Sequence, residues 1–149
     1  MADFRVSEII HRPIEEVFSY LSNLENATNL LPFVTDMEKL SNGPVGHGSR
    51  FLETRLVRRR RIQAEVHITE FDRPTSFSSK SVSNGVEILY HYTCSAIEEG
   101  TQVEMEAEVK TGGFLSFLTK KQLVKIIKNE DGGQLQKLKE VLETEAVHR

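Results

Sequence analysis

The sequence holds 149 residues with a formal net charge of −3, five histidines and one cysteine. That length suits one domain spanning residues 1–149, able to bury roughly 70% of the surface its unfolded chain exposes without a disulfide or a metal. The charge gives no general pull toward nucleic acid. The segment Met1 to Glu8, which carries acids and no continuous apolar run, is expected to be neither a signal peptide nor a membrane-inserted span. A lone Cys94 fits a reducing, cytoplasmic setting and a small core residue.

Phe4 to Ile10 alternates at the period of a strand, and Pro13 stops it. Proline suits the start of a helix, and Ile14, Val17, Phe18 and Leu21 follow at helical spacing to about Ser22. A second short helix over Leu24 to Leu31 is ended by Pro32. From Phe33 onward the turn residues are those of a β-meander: strands near Val34–Leu40, Ser49–Val57, Ile62–Phe71 and Thr75–Val82, with Asn84-Gly85 a strong hairpin signal. The last pair is read with Glu98 to Thr101 as its loop, which sets Tyr90 opposite Val109 and Tyr92 opposite Ala107. This register gathers Tyr90, Tyr92, Cys94, Val103, Met105, Ala107 and Val109 on one face and Glu104, Glu106 and Glu108 on the other.

From Phe114 to about Val147 the pattern is that of a long helix, about 50 Å if unbroken. Val124, Ile127, Leu135, Leu138 and Leu142 share one side of it, with Gln122, Asn129, Gln136, Lys137, Glu140 and Thr144 opposite. A helix of that length needs a large partner surface, so the fold class is α+β: a curved antiparallel sheet of about seven strands wrapped around the C-terminal helix.

Asp131 is the most unexpected residue, because the apolar stripe turns it inward. A buried carboxylate needs donors, water or a raised pKa, and Tyr90 and Tyr92 could supply hydroxyls. The alternative is that Gly132-Gly133 bends the helix and returns Asp131 to solvent. For Ser49–Val57 two registers stand open. The favoured one turns Leu52, Thr54 and Leu56 inward; the other turns Phe51, Glu53, Arg55 and Val57 inward and puts an ion pair in the interior. The run Arg58 to Arg61 has no interleaved aromatics and reads as a solvated hairpin tip. The scattered histidines have no ligand spacing, so no metal site is expected, and no catalytic motif is present.

The order strand, two short helices, six strands, long helix resembles the START-like (SRPBCC, pollen-allergen-like) helix-grip superfamily, in its polyketide cyclase/dehydrase-type branch. The resemblance rests on Ile10-His11-Arg12-Pro13-Ile14-Glu15-Glu16-Val17-Phe18, Gly46-His47-Gly48-Ser49, Ile68-Thr69-Glu70-Phe71-Asp72-Arg73-Pro74, Gly100-Thr101-Gln102-Val103 and Leu138-Lys139-Glu140-Val141-Leu142-Glu143. It implies an apolar cavity between sheet and helix that holds a lipid, polyketide or similar small hydrophobic molecule, with no cofactor. The expected cavity residues are Tyr90, Tyr92, Met105, Ala107, Phe114, Phe117, Val124, Ile127 and Asp131, and the expected mouth lies at Phe114, Phe117 and Gly112-Gly113. Because the superfamily includes binders, carriers and some enzymes, hydrophobic ligand binding is the leading expectation. The alternatives are a cyclase or dehydratase using Asp131 or a cavity tyrosine as acid or base, and a protein-interaction module.

Overall fold

The computed structural model describes residues 2–111 and 119–147. Seven antiparallel strands form one sheet in the order β1-β7-β6-β5-β4-β3-β2. Their ranges are β1 Phe4–Ile10, β2 Val34–Lys39, β3 Arg50–Val57, β4 Arg60–Asp72, β5 Ser76–Ser83, β6 Val86–Ile97 and β7 Gly100–Thr111. Between β1 and β2 lie α1, Ile14–Ser22, and a 3₁₀ helix, Leu24–Asn29. Glu15 and Glu16 in the first turn of α1 complement its positive N-terminal end, while Val17, Phe18 and Leu21 are buried.

The C-terminal helical segment comes in two lengths, α2 Lys120–Asp131 and α3 Gln134–Val147, rather than one unbroken rod. Thr119 opens α2 with a capping box: its hydroxyl accepts from the Gln122 amide, and the Gln122 side chain accepts from the Thr119 amide. Gly132-Gly133 separates the helices. At Gly132 a Cβ would sit 2.3 Å from the Lys128 carbonyl oxygen, so the chain passes there only without a side chain. The stripe survives the break. Ile127, Leu135, Leu138 and Leu142 are buried, Val124 is partly so, and the six residues expected opposite are exposed. Across the sheet, α3 packs on β1 and α2 on β7.

Two registers differ from the sequence reading. In the β6–β7 pair, Ile97 lies opposite Gly100, Tyr92 opposite Met105 and Tyr90 opposite Ala107. The turn is thus Glu98-Glu99, followed by Gly100 at φ +144°, where a Cβ would come within 2.3 Å of the Ile10 carbonyl oxygen. The expected pairing was off by two residues, an even slip, so the apolar face was unaffected. Val103, Met105, Ala107 and Val109 are all fully buried.

In β3 the favoured face was the wrong one. Phe51 is fully buried and Glu53 and Arg55 point into the interior, whereas Leu56 is 46% exposed. Thr54 is buried, but on the outer face, where its hydroxyl accepts from Gln63. The cause is the hairpin. Arg58 and Arg59 form a two-residue turn at φ +50° and +67°, so Arg55 pairs with Ile62, Glu53 with Ala64 and Phe51 with Val66. Since Val66 and Ile68 face the core, their partners must too. All four arginines of this tip are exposed, as expected of a solvated turn.

Candidate functional site

The concave face of the sheet is filled unevenly. On β1 and β7, with α3 above them, side chains close the interior completely: Ile10, Val103, Met105, Leu135, Leu138 and Leu142 are at most 2% exposed. At the α1 end, Phe18, Phe71, Phe77 and Tyr92 form an aromatic cluster, with Phe77 and Tyr92 stacked at 4.5 Å and Phe18 edge-on to both phenylalanines. On β4 and β5 several inward residues are small, Ala64, Ser79, Ser81 and Ser83, beside Ile62 of β4 and Ile88 of β6. Small side chains under a helix leave a void, here about 160 Å³ in volume. Among the described residues it is closed above by Ile127, Glu130, Asp131 and Gln134 and at the side by Leu24, Ala27, Leu31 and Met37. An apolar cavity near 150 Å³ takes one benzene-sized ring, so this space suits a single ring or a short chain.

One wall is ionic. The Arg55 guanidinium lies side-on to Glu53 (Nε to Oε1, 2.6 Å; Nη2 to Oε2, 3.5 Å) and end-on to Asp131 (Nη1 to Oδ1, 2.9 Å; Nη2 to Oδ2, 3.4 Å). The remaining Nη1 hydrogen reaches Glu130 Oε1 at 3.3 Å. Tyr90 donates a short hydrogen bond to Asp131 Oδ2, and Tyr92 donates to Gln134 Oε1 at 2.7 Å. Asp131 therefore has the donors its burial demands; its side chain is only 4% exposed. The glycine pair breaks the helix without turning Asp131 out, because the break follows it.

The same packing sets the proton affinities. Burial works against the Arg55 charge, but Asp131 and Glu53 outweigh it and hold the guanidinium more firmly protonated than usual. Burial, then the Asp131 charge, raises the pKa of Tyr90 and of Tyr92, so both remain donors throughout the physiological range. Burial also raises Glu130, with Arg55 opposing it and Asp131 adding to it. Glu130 and Asp131 end α2, where the helix dipole disfavours negative charge, so Arg55 is what makes the two acids tolerable there.

Of the residues expected in the cavity, Tyr90, Tyr92, Ile127 and Asp131 line it. Met105 and Ala107 share their face but are fully buried in the core and do not line the void. Val124 packs against the core without reaching the void. Phe114, Phe117 and Gly112-Gly113 lie outside the described residues, and the expected mouth with them. Sequence reasoning placed Glu53 and Arg55 here only in the less favoured β3 register, and it missed Glu130 and Gln134 as cavity-lining residues, along with the three serines that make the room. A second hollow, a surface groove of about 480 Å³, runs between Thr28–Pro32 and the α2–α3 junction; Leu31 and Glu130 line both it and the interior cavity.

A profile of the family described as polyketide cyclase / dehydrase and lipid transport matches residues 1–143. No functionally curated protein matches the sequence. Among solved structures the chain is similar to Ara h 8.0201 (TM-score 0.74, 13% identity, 95% of this chain and 97% of that one). It is also similar to the di-domain ARO/CYC StfQ from the steffimycin biosynthetic pathway (TM-score 0.76, 12% identity), covering 96% of this chain and 51% of StfQ, about half of that protein. A third neighbour is TTHA0849 from Thermus thermophilus (TM-score 0.74, 18% identity, 91% of this chain and 93% of that one). At these identities the likeness is one of fold.

Proposed function

This chain belongs to the polyketide cyclase / dehydrase and lipid transport family, and from that premise we propose that it binds one small, largely hydrophobic molecule in the cavity between β3–β6 and α2. The observation that carries this reading is the void itself: apolar over most of its wall, floored by Ala64 and the β5 serines, with its polar groups gathered at one end around Arg55 and Asp131. A ligand would bury its apolar part against Ile62, Ile88 and Ile127 and orient its polar end on Tyr90, Asp131 and Glu130. Native mass spectrometry of protein purified from its own host tests this. We expect a retained small molecule, lost in an Ala64→Leu variant that fills the space. Protein that carries nothing, and gains nothing from an apolar metabolite extract, would overturn it.

A second reading is favoured by the Tyr90–Asp131 hydrogen bond. A phenol held against a buried carboxylate, both facing a cavity, can pass a proton to or from a bound carbonyl compound, as cyclisation or dehydration requires. In that case Asp131→Asn would lower turnover roughly 100-fold or more while leaving binding in place. In a binder the same change costs about 1 kcal/mol of affinity.

A further inference from the structure

Resting on the ligand-binding reading, we infer that the polar end of the ligand is a hydrogen-bond donor, a hydroxyl or an ammonium group, and that carboxylates and phosphates are rejected.

The argument is an inventory of donors and acceptors. A guanidinium carries five N–H groups and no acceptor, and Arg55 spends all of them on Glu53, Asp131 and Glu130. Among the described residues it is the one cation in the wall, and it has nothing left to offer an anion. The hydroxyls of Tyr90 and Tyr92 are also committed, to Asp131 and Gln134; the Gln134 amide NH2 makes no hydrogen bond among the described residues, but it is neutral and cannot offset the charge of an anion beside three carboxylates. The carboxylates are not exhausted. Each offers roughly four lone-pair sites; Asp131 uses three, Glu53 two and Glu130 one. Three acids against one guanidinium leave a surplus of negative charge at the polar end, and Glu130, raised in pKa by burial, is the acid most readily shared with a ligand proton. The described residues hold no group placed to bind a metal ion that would reverse this sign. Ser79, Ser81 and Ser83 can donate or accept and so discriminate little.

The cavity volume selects the probes. Benzyl alcohol, benzylamine and benzoate present the same single ring with a neutral donor, a cationic donor and an anion. Titrated into the full chain by two-dimensional NMR, the first two are expected to shift Tyr90, Ile127 and Ser81, with benzoate binding at least tenfold more weakly. The surplus of carboxylates is expected to favour benzylamine over benzyl alcohol, and a Glu130→Gln variant, changed at the partly exposed rim, should narrow that difference. Benzoate binding as tightly as benzylamine would overturn the inference and leave the ligand-binding reading standing. If none of the three perturbs the cavity residues, both fall.

Discussion

The two halves of the concave face share one sheet and one helical cover, yet one is solid and the other hollow. On β1 and β7, branched and sulfur-bearing side chains are fully buried together with Leu135 and Leu138 of α3. On β4 and β5, alanine and serine leave a gap, and one end of it is bounded by an ionic cluster. The backbone does not make this difference. Side-chain size and charge do, and the division runs across the sheet, from β1 and β7 to β4 and β5, with Ile127, Glu130, Asp131 and Gln134 from both sides of the glycine break over the void. Close packing and open space are thereby assigned to different halves of one layer.

The sharpest way to break that assignment is to remove the cation of the hollow half. Arg55→Met leaves Glu53 and Asp131 buried without their partner, and urea unfolding is expected to show a loss of about 3 to 5 kcal/mol. Adding Asp131→Leu and Glu53→Gln should return most of it, because the penalty lies in the uncompensated charges. Next in size is the solid half: Leu138→Ala, at a fully buried site, should cost about 3 kcal/mol, whereas Ser81→Ala across the cavity should stay within about 0.5 kcal/mol. Similar losses at both would mean the void is filled in solution. The smallest effect is one of pH. Glu130 holds its proton more tightly in the folded chain than at its ordinary value of 4.5. As pH rises from there through the raised value, the unfolded chain gives up this proton first, so Glu130 lowers stability across that window. Thermal melts of Glu130→Gln should lack that component, and an unchanged pH profile would remove Glu130 from the cluster's energetics.

The helical stripe was legible because Ile127, Leu135, Leu138 and Leu142 keep one period through the glycine break, and Asp131 stood out as the exception within it. The β6–β7 face was legible for a different reason: period-2 patterning tolerates an even error, so a loop placed two residues late still sorted the residues correctly. The β3 face was not, because the cost of burying an ion pair favoured Leu52, Thr54 and Leu56 while the deciding information lay in the turn. Arg58-Arg59 adopts a conformation usually marked by Asn-Gly, so the hairpin carried no compositional signal. With a turn of two residues there, the unambiguous inward set Ile62, Ala64, Val66 and Ile68 turns Arg55 toward Asp131. Met105 and Ala107 show the converse limit: a sequence can assign a face, but whether that face meets a void depends on how closely a helix from elsewhere approaches it.

Leu31 and Glu130 line both the interior cavity and the surface groove at the α2–α3 junction, so the partition at this point is one side chain thick. Such a partition opens by rotation of a side chain, with no need for strands or helices to separate, and at Glu130 that rotation gives up the hydrogen bond from Arg55. Residence time at this wall would then be governed by how long a guest holds Glu130 in place. A molecule that anchored the carboxylate would close its own exit, and one that did not would find only the Arg55–Glu130 contact in its way.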